Sequence, residues 1–192
     1  MKTFYIFRHG QSTYNLSGRT QGQTNDSVLT PLGEQQALEV GKKLQDKGVE
    51  VIISSPLTRA MQTAQLANES LNVPIRQDER FSEVNVGEIE GLHYTVIQEK
   101  YGEKYREWRS SDRAYENMRF DGGESKKEVR TRVLDGLKDY ADHSPYTRIA
   151  VSSHGIMLTQ LLIAFEQPAI DIPNGGILEL TYDGTFKIQG WV

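Results

Sequence analysis

The 192-residue sequence contains no cysteine. That excludes disulfides, zinc–thiolate sites, iron–sulfur clusters and thiol nucleophiles, and it fits a reducing compartment. Basic residues are not in excess: 22 Lys and Arg stand against 26 Asp and Glu, a formal net charge of −4. Nothing here drives non-specific association with nucleic acid. Long apolar runs are missing too. The most apolar stretch, Ile156 to Phe165, is too short to span a bilayer and is interrupted by Thr159 and Gln160. The amino-terminal run meets Arg8 and His9 too soon for a secretory signal. Proline is scarce, at six, and no repeat or low-complexity segment breaks the chain. These absences predict a cytoplasmic protein with no membrane and no nucleic-acid partner.

What is present suffices for one core. The chain is 37% hydrophobic and holds nine Tyr, six Phe and two Trp, so a single domain over residues 1–192 is expected. Phe4–Phe7, Val49–Ser54 and Arg148–Ser153 are short apolar runs of the kind buried on both faces of a sheet. Val73–Arg76 reads as a further short strand. Thr30-Pro31 opens a helix, with Thr as N-cap and Pro at the first helical position, and Gly48 can end it. Ser55-Pro56 is read as the start of a second helix, Glu124–Ala141 as an amphipathic third and Gly155–Phe165 as a fourth. Ile177–Tyr182 and Phe186–Gln189 read as a hairpin turning at Asp183-Gly184. The alternation predicts an α/β three-layer sandwich: a mostly parallel central sheet with helices on both faces. The segment from about 93 to 123, rich in Tyr and Arg, is expected to be a small helical cap inserted over it.

Ligands of such sheets sit beyond the carboxyl ends of the strands. Three polar groups fall there: Arg8-His9-Gly10, Ser54-Ser55 with Arg59 one turn on, and His154-Gly155. If the strands are neighbours, one crevice collects two Arg and two His. That set suits a tetrahedral dianion, since guanidinium forks match phosphate oxygens. A neutral imidazole can attack phosphorus, and the second can be cationic and neutralise developing charge. Gly10 and Gly155 are expected to let the backbone approach a ligand closely. A leaving alkoxide also needs a proton donor. Glu83, Glu88 and Glu90 are candidates, and spacing does not choose among them.

Taken together these residues resemble the histidine phosphatase superfamily, also called the phosphoglycerate mutase-like family. The resemblance covers nearly the whole chain. It rests on Phe7-Arg8-His9-Gly10-Gln11-Ser12-Thr13-Tyr14-Asn15, on Gly18-Arg19-Thr20-Gln21-Gly22 with Asp26 and Leu29–Ala37, and on Ser54–Ala64. Glu83 with Gly87 and Glu90-Gly91, Gly122-Gly123-Glu124-Ser125 and Ser153-His154-Gly155 complete it. The stretch between Gly22 and Leu29 is one residue longer than the family's usual loop. The resemblance implies that His9 becomes phosphorylated, that Arg8, Arg59 and His154 hold the phosphoryl group with Asn15 and Gln21 as further donors, and that Glu83 is the general acid. It implies no metal and no cofactor.

The expected activity is hydrolysis of small-molecule phosphomonoesters, by a monomer or homodimer. A cofactor-dependent phosphoglycerate mutase and a non-catalytic phosphate-binding module are the alternatives. A mutase must keep water off the phosphohistidine; a chain ending at Trp191-Val192 without a covering tail leads us to expect a phosphatase. Arg106, Arg109, Arg113 and Arg119 of the cap are expected to meet a second acidic group of the substrate, or Trp108 and the Tyr residues to stack on a base.

Overall fold

The computed structural model describes all 192 residues. Six strands form one sheet: β1 (Lys2–Arg8), β2 (Val51–Ser54), β3 (Ile75–Gln77), β4 (Arg148–Ser153), β5 (Ile177–Tyr182) and β6 (Phe186–Trp191), in the order β3-β2-β4-β1-β5-β6. The first four run parallel, whereas β5 and β6 add an antiparallel hairpin at one edge. No helix is long and apolar enough to cross a membrane.

Alternate side chains of the central strands divide between two cores, as the two-residue strand period requires. Tyr5, Phe7, Ile52 and Ala150 face α2 (Pro31–Leu44) and α3 (Thr58–Leu71). Phe4, Ile6, Val51, Ile53, Ile149 and Val151 share the opposite core with α5 (Lys126–His143) and α6 (Gly155–Ala164). Helix α2 starts as its sequence dictates: the Thr30 hydroxyl accepts from the Gly33 N–H, and Pro31 occupies the first turn. Ser125 and Glu128 close a reciprocal capping box on α5.

The stretch from Gly10 to Leu29 contains a one-turn helix, α1 (Thr13–Leu16), capped by the Ser12 hydroxyl. One local expectation is corrected. Helix α3 does not begin at Ser55-Pro56 but at Thr58. Ser55 is still held to the sheet through its N–H on the Ser152 carbonyl, and its hydroxyl is engaged elsewhere. The cap is supplied from a distant loop, by Asn25 Oδ1 accepting from the Thr58 N–H. The 93–123 segment forms α4 (Tyr94–Arg109), kinked at Gly102, and a short turn at Arg113–Tyr115.

Candidate active site

Register brings the distant residues together. β1 and β4 are hydrogen-bonded neighbours with Arg8 opposite Ser153, so the residues that follow, His9 and His154, emerge side by side. Their ring centroids lie 5.2 Å apart, edge to face. β2 flanks β4 on its other side with Ser54 opposite Ser152, which places Ser55 beside His154. α3 then carries Arg59 underneath, where its side chain is fully buried. After β3, the chain turns back over the end of β4, held by the Ser153 hydroxyl donating to the Phe81 carbonyl at 2.6 Å. That turn delivers Glu83.

The hydrogen bonds orient each group. His9 Nδ1 lies 2.7 Å from the Gly10 carbonyl. A carbonyl only accepts, so Nδ1 carries the proton and Nε2 a free lone pair. Arg59 Nε donates to that Nε2 at 3.3 Å, and the two terminal nitrogens donate to Thr24 O (3.0 Å) and Gly22 O (2.7 Å). His154 Nε2 meets the Ser55 hydroxyl at 2.8 Å, while its Nδ1 is buried with no partner. Arg8 donates through Nη1 to the Ile172 carbonyl, and its buried Nε is also unpartnered. Two buried donors or acceptors left open at one site call for an explanation, and a polar ligand supplies one.

Glu83 accepts three backbone N–H bonds: Oε1 from Val84 (3.0 Å) and Met157 (3.1 Å), Oε2 from Ile156 (3.0 Å). It therefore sits on the first turn of α6, beside Gly155. Its own segment is clamped by one guanidinium. Arg132 donates to the carbonyls of Arg80 and Ser82 (both 2.8 Å) and of Glu83 (3.0 Å), and its remaining bonds go to Glu124.

Asn15 and Gln21 complete the rim. Asn15 Oδ1 accepts from the Ser12 N–H at 3.1 Å and lies 3.3 Å from Asn174 Nδ2; Gln21 Oε1 lies 2.7 Å from the Ser12 hydroxyl and 3.0 Å from that of Ser27. With their oxygens engaged, both present amide N–H groups. The cavity above is about 690 Å³, and Arg8, Asn15, Gln21, Glu83 and Gly155 line it. His9, Arg59 and His154 lie beneath, almost wholly buried.

Burial, reinforced by the charges of Arg59 and Arg8, holds the His9 imidazole well below its usual pKa, against the weaker pull of its bond to Gly10. His154 is held low by burial first, then by Arg59, His9, Arg132 and Arg8. Burial and these neighbouring charges thus favour the neutral imidazole of His154. Burial also pushes Arg59 down to about 10, so it stays charged at neutral pH. The expectation for Gly10 is corrected. A side chain there would strike the Gly33 carbonyl at 2.1 Å, so its smallness serves packing against α2.

Every residue singled out at the strand ends is in one crevice. The cap arginines are not: Arg109 lines the cavity, but Arg119 is paired with Glu128 and Arg106 and Arg113 are exposed away from it. The sequence reading missed Asn174, whose Nδ2 donates to the His9 carbonyl at 2.9 Å, as well as Thr20, Lys126 and Gln160 on the cavity wall. A single Asn or Lys in a polar stretch gives no signal of its own.

The sequence profile of the histidine phosphatase superfamily (branch 1) matches residues 4–191. The chain belongs to the histidine phosphatase superfamily. Among its curated relatives is a probable phosphoglycerate mutase, GpmB, of Escherichia coli, 33% identical over 203 residues that cover 100% of this chain and 91% of the relative. Solved structures of the same superfamily fold include YhfR of Bacillus stearothermophilus, 27% identical with a TM-score of 0.90 over 99% of this chain and 96% of that one. A mycobacterial glucosyl-3-phosphoglycerate phosphatase is 24% identical with a TM-score of 0.87, over 100% and 98% of the two chains; at that identity the likeness concerns the histidine phosphatase fold alone.

Proposed function

We propose that this protein is a phosphatase that hydrolyses small-molecule phosphomonoesters through a phosphohistidine on His9. The observation that carries the reading is the Nε2 lone pair of a neutral His9, met only by the Arg59 guanidinium and set beside an unpartnered His154 Nδ1. Arg8 and Arg59 supply fixed positive charge for the phosphoryl oxygens. His154 Nδ1, with Ser55 fixing Nε2, and the amides of Asn15 and Gln21 supply neutral donors, and Gly155 leaves the floor open.

In the first step Nε2 attacks phosphorus in line with the leaving oxygen. The N–P bond forms as the P–O bond breaks, and Glu83 gives its proton to the departing alkoxide. In the second, Glu83 takes a proton from water as the oxygen attacks phosphorus. The N–P bond breaks, phosphate leaves, and His9 and Glu83 return to their starting forms. The charges come from the chain itself, so the cycle uses no metal.

Hydrolysis is favoured over transfer because water must reach the intermediate, and a cavity of about 690 Å³ admits it beside a small alcohol. Two solved structures that share the fold carry phosphatase names, one of them provisionally. The name of the E. coli relative favours the second reading, a phosphoglycerate mutase. Incubation with 3-phosphoglycerate and a trace of 2,3-bisphosphoglycerate separates them. Free phosphate that is lost in H9A supports the phosphatase; rapid 2-isomer without free phosphate supports the mutase. No turnover of any phosphomonoester leaves only a phosphate-binding module.

A further inference from the structure

The cavity reaches well past the phosphoryl-holding residues, and its outer wall contains a buried cation that nothing in the chain pairs. Lys126, the first residue of α5, is 5% exposed and lines the cavity. Its one protein acceptor is the Ser110 carbonyl, which leaves two of the three ammonium N–H groups without a protein partner. Burial weakens its hold on its proton, and the nearby charges of Arg130 and Arg109 weaken it further; Asp112 acts the other way. Arg130 is committed to Glu116 and Gln160. Asp112 is exposed, with its carboxylate on the Ala114 N–H. Arg109 meets only Asp171, at 3.9 Å, with both side chains half or more in water, where such a pair contributes little. A buried ammonium without a counter-charge is costly, and here it faces a ligand cavity.

Helix α6 provides the scale. Gly155 lies on the floor beside Glu83, whereas Gln160 shares the Lys126 wall. Five residues at a helical rise correspond to about 7.5 Å. We propose that Lys126, assisted by Arg109, is a second anion subsite, and that the preferred substrates are phosphomonoesters carrying a carboxylate a few bonds from the ester oxygen. A single ammonium matches a monovalent group, and a point charge tolerates its orientation. The proposal rests on the phosphatase reading for where the phosphoryl group lies.

The test compares 3-phosphooxypropanoate with n-propyl phosphate, which differ in a terminal carboxylate against a methyl. Calorimetric titration of the full chain carrying H9A reads affinity without turnover. The carboxylate ligand is expected to bind about tenfold tighter or better, K126R is expected to keep that ratio, and K126M to bring it to about one. Since Arg109 is exposed, R109Q keeps the question open should K126M not fold; the ratio is expected to drop at least about threefold. Equal affinities with Lys126 present, a ratio unmoved by K126M or R109Q, or binding of neither ligand overturns the subsite. A preserved binding ratio with no phosphate release by the unmutated chain overturns the phosphatase reading and leaves the subsite standing.

Discussion

Arg59 Nε donates to His9 Nε2 at 3.3 Å, so the guanidinium engages the lone pair that the proposed chemistry needs. A phosphoryl group must take over this N–H with one of its oxygens, which frees Nε2 to face phosphorus. In the proposed cycle one side chain thereby adds to the burial that keeps the imidazole neutral, orients the ring and then binds the anion.

The first expectation concerns Arg59 itself. R59M is expected to lower kcat/KM by about 10²–10³, the usual cost of removing one donor to developing charge. Because the Arg59 charge helps hold the His9 pKa down, the acid limb of the pH–rate profile is also expected to move to higher pH. A rate loss with an unmoved acid limb would separate the two roles and contradict the electrostatic one.

Glu83 and its clamp are tested through the leaving group. E83Q is expected to cost little with p-nitrophenyl phosphate, whose phenolate leaves without a proton, and about 10²–10⁴ with an alkyl phosphate. R132Q frees the carbonyls of Arg80, Ser82 and Glu83. It is expected to steepen the same leaving-group dependence more weakly. Equal losses on both substrates for E83Q would remove Glu83 from the acid role.

Stability should respond to acid. His9 and His154 have folded-state pKa values well below the ordinary value, chiefly through burial. Below about pH 6.5 the unfolded chain therefore binds protons that the folded chain refuses, and stability falls as pH drops. Scanning calorimetry is expected to show Tm declining from neutrality toward pH 5, and a shallower decline in H9N/H154N. An identical slope in the double variant would assign the acid sensitivity to other groups.

The contact between α2 and α3 gives a purely structural check. A side chain at Gly41 would come within 2.3 Å of the Ala67 carbonyl oxygen, too close for any rotamer to relieve. G41A is expected to destabilise by about 1–3 kcal/mol through forced separation of the helices. A urea midpoint equal to that of the unmutated chain would show that the helices part without strain.

Much of this was readable from the sequence, for identifiable reasons. Apolar runs ending in Arg8-His9 and in Ser153-His154 place charged groups where parallel strands deliver them, so the crevice followed once the strands were neighbours. The Thr30-Pro31 helix start is local chemistry and came out in place. The start of α3 did not, because its cap, Asn25, is distant in sequence. The protonation state of His154 depends on burial and on three arginines from separate elements, which no local pattern encodes. Lys126 and Arg132 look like ordinary helix-surface charges; only packing turns one toward the cavity and the other onto the Glu83 segment. Among the cap arginines, only the path of the folded chain shows that Arg109 alone lines the cavity.

The covalent intermediate is the central claim, and rapid quenching reads it directly. The chain is mixed with substrate, denatured in alkali, where a phosphohistidine survives, and digested with trypsin. The peptide His9–Arg19, released by cleavage after Arg8, is expected to gain the mass of one phosphoryl group within the first turnover and to lose it as substrate is exhausted. Full hydrolytic activity with no phosphoryl group on that peptide at any time, or its appearance on another residue, would contradict nucleophilic catalysis by His9.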